Sequence, residues 1–543
     1  MWLSLSGGVL CLLVMFIIDW ATALLIFALF AIVFIYVHGR SGDVNWGSSI
    51  QAHHYRIALA SLLSLTCTEE HVKNYRPQVL LLTGNPAARC ALLDFGCAIT
   101  KGDSLLIAAH IIPYPATEKT FRLVRRLNVQ MTDWLRANKI KAFYLPFAST
   151  NLRAGAQNLF QTAGLGRLKP NIVLIGFKSD WNHYGIEGAM SIVDYVGIIR
   201  DAFENNCGVG ILRNGTEGFD LSESLLELNI SDITAFKNST VEAPDLSVLS
   251  QTLPSLQSNT GFISSYSSGG MSFGDSFMSR ASTIEEEFGD IETDYELEMA
   301  KTHTVYRQST KFFSDRSIFS ERHKSDDDNN SYSKLAKNAG VLPTEKQRKL
   351  AFQMNKFMSK VKNGRIDVWW LYDDGGLTLL IPHLLRLEKS YLEGAQLRVF
   401  TLSSSTTTEA DEQRLAGLLI KFRIRFADVR IVSGAKDLPN ESTMAEFKQL
   451  IQSMRTSYEG VIPGVISEHD LRKATRRTNR HLRTKEIIQK HSSAADLIII
   501  TMPIPRLEIN SSLYMAWLDI MTRGLPPVLM IRGNQTSVLT FYS

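Results

Sequence analysis

The run Arg365-Ile-Asp-Val-Trp-Trp-Leu-Tyr-Asp-Asp-Gly-Gly-Leu-Thr-Leu-Leu-Ile-Pro-His-Leu-Leu-Arg386 decides how the chain is read. Val368 to Tyr372 is apolar and aromatic and predicts a buried strand. Asp373 to Gly376 predicts a tight turn, and the leucine-rich remainder a helix. The same plan stands at Arg76 to Phe95: Val79 to Leu82 as strand, Thr83-Gly84-Asn85-Pro86 as turn, and a helix from Ala87. Two copies of one strand–turn–helix opening indicate a duplicated α/β unit.

Working outward, further strands are expected at Leu105 to Ile112, Ala142 to Phe147, Ile172 to Phe177 and Gly208 to Leu212, with helices between them. The second series has Leu397 to Leu402, Val429 to Val432, Leu497 to Met502 and Val528 to Ile531. The two series also close alike, at Gly208-Val-Gly-Ile-Leu-Arg-Asn-Gly215 and Pro527-Val-Leu-Met-Ile-Arg-Gly-Asn534. Short apolar strands alternating with helices imply parallel sheets covered on both faces. The fold class is therefore α/β, with a first Rossmann-like unit over 76–214 and a second over 347–543. A basic helix, Asp470 to His491, lies between the third and fourth strands of the second unit. Its Arg472, Lys473, Arg476, Arg477, Arg480, Arg483 and Lys485 suit an anionic lipid surface, an acidic partner or plain solvent.

Ahead of these units, Trp2 to Ile18 and Ala21 to Val37 carry no charge, and Asp19-Trp20 separates them. A membrane span needs roughly 20 apolar residues, with about 17 tolerable. Residues 1–40 are thus expected to form a transmembrane hairpin, spanning 2–18 and 21–37, with Asp19 at the tip and His38 and Arg40 on the cytosolic side. Residues 41–75 read as a helical connector. Between the units, 215–346 is a linker in which serine, glycine, aspartate and asparagine dominate from Gln257 onward, too polar to bury a core and mostly disordered. Ser282, Thr283, Ser309 and Thr310 follow Arg280 and Arg307 and are candidate phosphorylation sites there.

Composition excludes several classes. A net charge of +4, with no clustered basic face dominating the chain, does not point to nucleic acid. The five cysteines (Cys11, Cys67, Cys90, Cys97, Cys207) have neither CxxC nor metal-ligand spacing, and are read as reduced thiols. The 12 histidines lack HExxH and no GxSxG elbow occurs, so no enzyme, no metal and no catalytic residue is expected. The turns at Gly84 and at Gly375-Gly376 each precede a helix N-terminus and so favour anions. Neither has a full phosphate-loop motif. Asp373-Asp374 would repel phosphate, which leaves Gly84 and Asn85 as the candidate nucleotide site, with ATP the ligand to test and a tight turn the plainer reading.

Five stretches carry a resemblance. They are Asp43-Val-Asn-Trp-Gly-Ser-Ser49, His71-Val-Lys-Asn-Tyr-Arg-Pro77, Ala163-Gly-Leu-Gly-Arg-Leu-Lys-Pro-Asn171, Asp367 to Pro382, and Pro526 to Asn534 with the terminal Leu539-Thr-Phe-Tyr-Ser543. Through them the chain resembles the C-terminal part of the cation–chloride cotransporters, in the sodium-coupled branch. The terminal Phe-Tyr-Ser leans to Na-K-Cl over Na-Cl cotransporters. The resemblance implies that residues 1–37 are the family's last two membrane helices and the rest its cytosolic regulatory domain. That domain would dimerise, answer to regulatory kinases and shape electroneutral transport of Na⁺, K⁺ and Cl⁻ at the plasma membrane. Family ion sites lie on earlier helices, so no ion-binding residue carries over. The other readings are a membrane-anchored anion- or nucleotide-sensing module, and a short isoform that regulates a full-length cotransporter.

Overall fold

A computed structural model describes residues 2–39, 49–215, 218–227, 305, 345–403, 409–456 and 462–539. Ser282, Thr283, Ser309, Thr310 and most of the expected linker lie outside the described residues, as does the Asp43 to Ser48 run. The chain forms two compact units.

One unit holds the N-terminal helices α1 (Trp2–Ile18) and α2 (Trp20–Gly39). Their boundaries follow from Asp19, whose Oδ1 accepts the Ala21 N–H at 3.0 Å and so caps α2. Phe16 and Phe27 approach to 6.0 Å across the turn. Ala23 is buried, whereas Leu5, Ile17, Leu25 and Phe30 stand exposed. At 1.5 Å per residue, the 17 residues of α1 measure ~25 Å, short of the ~30 Å hydrocarbon core. Among the described residues no helix is long and apolar enough to cross a membrane.

The other unit is built on one ten-stranded sheet. After α3 (Ser49–Cys67) come β1 (Val79–Leu82), α4 (Cys90–Thr100), β2 (Leu106–Ile112), α5 (Glu118–Ala137), β3 (Phe143–Ala148), α6 (Leu152–Thr162), β4 (Ile172–Gly176), α7 (Ala189–Glu204) and β5 (Gly208–Arg213). Beyond α8 (Glu345–Met354) the series repeats: β6 (Arg365–Trp369), α9 (Leu377–Leu385), β7 (Gln396–Leu402), α10 (Glu409–Lys421), β8 (Asp428–Val432), α11 (Glu441–Ile451), α12 (Glu468–Ser492), β9 (Leu497–Thr501), α13 (Ser511–Thr522) and β10 (Val528–Arg532).

The strand order is β3-β2-β1-β4-β5-β10-β9-β6-β7-β8. Each half repeats one order, outermost strand third in sequence, and all pairs are parallel except β5 with β10. That pair runs antiparallel, with Met530 opposite Ile211. The two halves are therefore related by a pseudo-twofold through the β5–β10 contact. Separate units would each leave an edge strand, apolar up to its final arginine, open to pairing, and joining the two edges removes both. Every residue of β5 and of β10 is buried. Gly208 allows the close fit there: a Cβ would lie 2.8 Å from the Leu377 side chain of α9.

Helices cover both faces. On one, Phe95 of α4, Phe357 and Tyr391 meet edge to face at 5.3 Å across the halves. On the other, α13 is buried along its whole length among α7, α11 and α12. Most strand boundaries differ from expectation by about a residue, while β6 and the start of α4 differ by three. α4 begins at Cys90 rather than Ala87, because Asn85 Oδ1 takes the Ala87 N–H at 3.1 Å and holds residues 85–89 in turns. β6 ends at Trp369, because the Leu371 N–H turns aside to Thr501 Oγ1 at 3.2 Å. All five cysteines are free thiols.

Candidate functional site

The seam between the half-sheets holds a buried polar construction that joins them. Asp519, on α13, is 2% exposed, and its carboxylate takes donors from both halves. From the first half, Arg213 Nη1 reaches Oδ1 at 2.7 Å and Trp181 Nε1 reaches Oδ2 at 2.9 Å. From its own helix, Arg523 Nη2 donates to Oδ2 at 2.8 Å. Arg213, the last residue of β5, also donates to Thr522 Oγ1 at 2.8 Å and lies 4.5 Å from the centre of the Phe177 ring. Burial would raise the Asp519 carboxyl, but Arg523, Arg213 and Trp181 outweigh it and hold the group below the usual carboxylate range. A second clip lies nearby. Arg200 of α7 donates to the carbonyls of Pro505 at 3.1 Å and Ile509 at 3.0 Å. The arrangement can do one thing chemically: lock the halves into a single body.

Sequence reasoning missed Trp181, Arg200 and Asp519. Arg213 carried a faint signal, since it and Arg532 end matching strands. The two take different partners: Arg532 donates to the Met502 carbonyl at 3.0 Å and stacks 5.1 Å from the Tyr372 ring centre.

At the first predicted turn, Gly84 has φ +65°, a conformation that suits glycine. The Arg89 guanidinium lies over it, donating to the Thr83 carbonyl at 3.1 Å and pairing with Asp220 at 2.7 Å. A phosphate seated by Gly84 and Asn85 would compete with Asp220 for that arginine. At the second turn, the place an anion would take at the start of α9 is filled by the buried Asp374 carboxylate. It accepts from Gly376 N–H (3.2 Å), Thr378 N–H (3.0 Å), Thr378 Oγ1 (2.7 Å) and Gly533 N–H (3.2 Å). The adjacent Asp373 is exposed, so the two carboxylates have separate surroundings. Asp374→Ala is expected to cost about 2–3 kcal/mol, because it leaves buried donors unpaired. Asp373→Ala should cost under about 0.5 kcal/mol. Urea unfolding of both variants checks this, and equal midpoints would refute it.

The other titratable groups are structural. His110 is held neutral, pushed down to about 4 by burial and then by Arg89, with Nδ1 2.8 Å from the Tyr144 hydroxyl. His481 is likewise lowered to about 4 by burial and then Arg480 and Arg477. Among the described residues no His, Cys, Asp or Glu group is arranged to hold a metal ion.

Comparison with known proteins follows from this architecture. A solved structure described as the cytoplasmic domain of a prokaryotic cation chloride cotransporter aligns over 86% of this chain and 99% of its own, at 10% identity and a TM-score of 0.34. Sequence relatives are nearer. Solute carrier family 12 member 1 of Homo sapiens is 36% identical over 558 residues, covering 100% of this chain and 45% of its own length. The bumetanide-sensitive sodium-(potassium)-chloride cotransporter of Manduca sexta is 36% identical over 547 residues, covering 100% and 48%. Solute carrier family 12 member 2 of Homo sapiens is 33% identical over 563 residues, covering 100% and 41%. The chain thus spans about half the length of the curated relatives it matches. The model of the family described as Solute carrier family 12 matches residues 89–543, five-sixths of the sequence and the whole ten-stranded sheet but for β1, and the chain belongs to that family.

Proposed function

We propose that this chain acts as the C-terminal regulatory part of an electroneutral sodium–potassium–chloride cotransporter. The observation that carries the reading is the match of the whole chain to less than half of a relative named as a bumetanide-sensitive sodium-(potassium)-chloride cotransporter. The ion pathway belongs, on this reading, to the part of the relatives that the chain does not cover. On this reading α1 and α2 are the membrane hairpin, with local thinning of the bilayer meeting the short α1: they carry no charge along their lengths and present Leu, Ile and Phe side chains outward. The sheet domain lies in the cytosol, pairs with a second copy, and receives kinase signals through Ser282, Thr283, Ser309 and Thr310. Its seam supports this role, because a domain locked into one body transmits a displacement without absorbing it.

Expressed from Met1 in cells lacking other cotransporters, the chain is expected to give no bumetanide-sensitive rubidium uptake. Uptake well above mock-transfected cells would overturn the placement of the pathway.

A further inference from the structure

One edge of the sheet carries basic and apolar side chains that face water. It is the edge where β9 and β10 end and β4 and β5 begin, and the Arg200 bonds to Pro505 and Ile509 tie its two sides together. β1 lies parallel to β4, and the Gln78 N–H bonds Asn171 Oδ1 at 2.8 Å, so the chain enters the sheet on this same edge.

The N-terminal half of α12 stands here. Arg472, Lys473, Arg476, Arg477 and Arg480 recur at the spacing of one helix face, and all five are exposed. The first four have no ion pair among the described residues, and Arg480 lies 5.5 Å from the centre of the Tyr372 ring. Farther along the helix the pattern changes: Arg483 pairs with Glu486 at 2.7 Å, and buried Lys485 pairs with Glu446. Two loops on the edge hold leucines in water, Leu507 at 87% exposure beside Arg506 and Leu165 at 67% near Arg167. The exposed acids on this edge include Glu508, Asp373, Glu204 and, in the first turn of α12, Glu468, which pairs with Arg455.

We propose that this edge is a docking surface for the anionic headgroups of a lipid bilayer. Guanidinium groups match phosphate oxygens in paired hydrogen bonds, and basic residues flanking exposed leucines suit a headgroup layer over hydrocarbon. No acid interrupts α12 between Asp470 and Glu486, whereas an ordinary solvated helix face would intersperse acids among the bases. Exposed leucines beside the bases favour a bilayer over a soluble acidic partner, because hydrocarbon takes up apolar side chains that an acidic surface leaves in water. The inference rests on the proposed membrane anchorage only for bringing the chain to a bilayer.

The test uses the full chain with liposomes of phosphatidylcholine, with or without about 30% phosphatidylserine. Flotation on pure phosphatidylcholine reports hairpin insertion. Trypsin cleavage after Lys473, Arg476 and Arg477, followed by mass spectrometry, reports the docked edge. Cleavage is expected to slow at least about fivefold with phosphatidylserine and to recover at ~0.5 M salt. The combined Arg472→Gln, Arg476→Gln and Arg477→Gln variant should float as before but lose the protection at Lys473. Equal cleavage in the two lipids overturns the proposal. So does protection already complete on phosphatidylcholine, as an acidic segment such as 285–298 would give. Flotation on phosphatidylserine liposomes alone, with protection, would sink the hairpin reading and support the docking surface.

Discussion

Replacing Asp519 by alanine is expected to cost the sheet domain about 3–5 kcal/mol, because Arg213 would stay buried without its counter-charge. The loss comes from what remains, not from what is removed. Trp181 Nε1 and Arg213 Nη1 both lose an acceptor 2% exposed to water. Changing both members of the ion pair, Asp519→Leu with Arg213→Met, should recover part of the loss, since an apolar pair of similar volume leaves no orphaned charge. Chemical unfolding of the three proteins checks this, and a single variant within about 1 kcal/mol of the original would refute the role of the seam. The pH dependence has a definite sign. Asp519 is held below the usual carboxylate range when folded, against the raising effect of burial. Its contribution is therefore complete above the unfolded value of about 4 and is lost as pH falls through the folded one. Asp519→Ala should flatten the acid side of the stability profile; an unchanged slope there would argue against the assignment.

Trp517→Ala is expected to cost a further 3–5 kcal/mol by opening a cavity at the centre of the same face. Trp517 is 1% exposed, lies with its ring 4.9 Å from that of His481, and donates from Nε1 to Thr478 Oγ1 at 3.0 Å. It thus joins α13 to α12, while the opposite flank of α13 meets α7 from the other half. Trp517→Phe keeps most of the volume and should lose under about 2 kcal/mol. Thermal unfolding separates the two. Equal losses would mean that the indole hydrogen bond, and not the packing, holds these helices.

Charge shows where sequence reading stops. The eight lysines and arginines of α12 look alike in the sequence. In the fold Lys485 is buried against Glu446 and Arg483 pairs with Glu486, while Arg472 to Arg480 face water. Helical periodicity alone does not separate them, because it does not show that Glu446 and Asp437, from outside the helix, join Glu486 in neutralising two of them. The aspartates at the decisive turn behave the same way. Adjacent in sequence, Asp374 caps α9 and binds Gly533, and Asp373 stays in solvent. An anion reading of such turns depends on whether the chain's own carboxylate already occupies the helix start.

The local elements and their duplication are legible in the residues, since short apolar runs between helical patterns leave a strand little choice. Ten strands lie within a few residues of their expected places. The recurring Arg-Asn and Arg-Gly endings of β5 and β10 marked the two series as copies. That the copies share one sheet, with Met530 set opposite Ile211 and Asp519 reaching across to Arg213 and Trp181, emerges only from the packing of the folded chain. Periodicity reports which face of an element is buried and is silent on what buries it. Partners more than 300 residues apart are chosen by edge complementarity and by the need to neutralise a buried charge, and both arise only once the chain has folded.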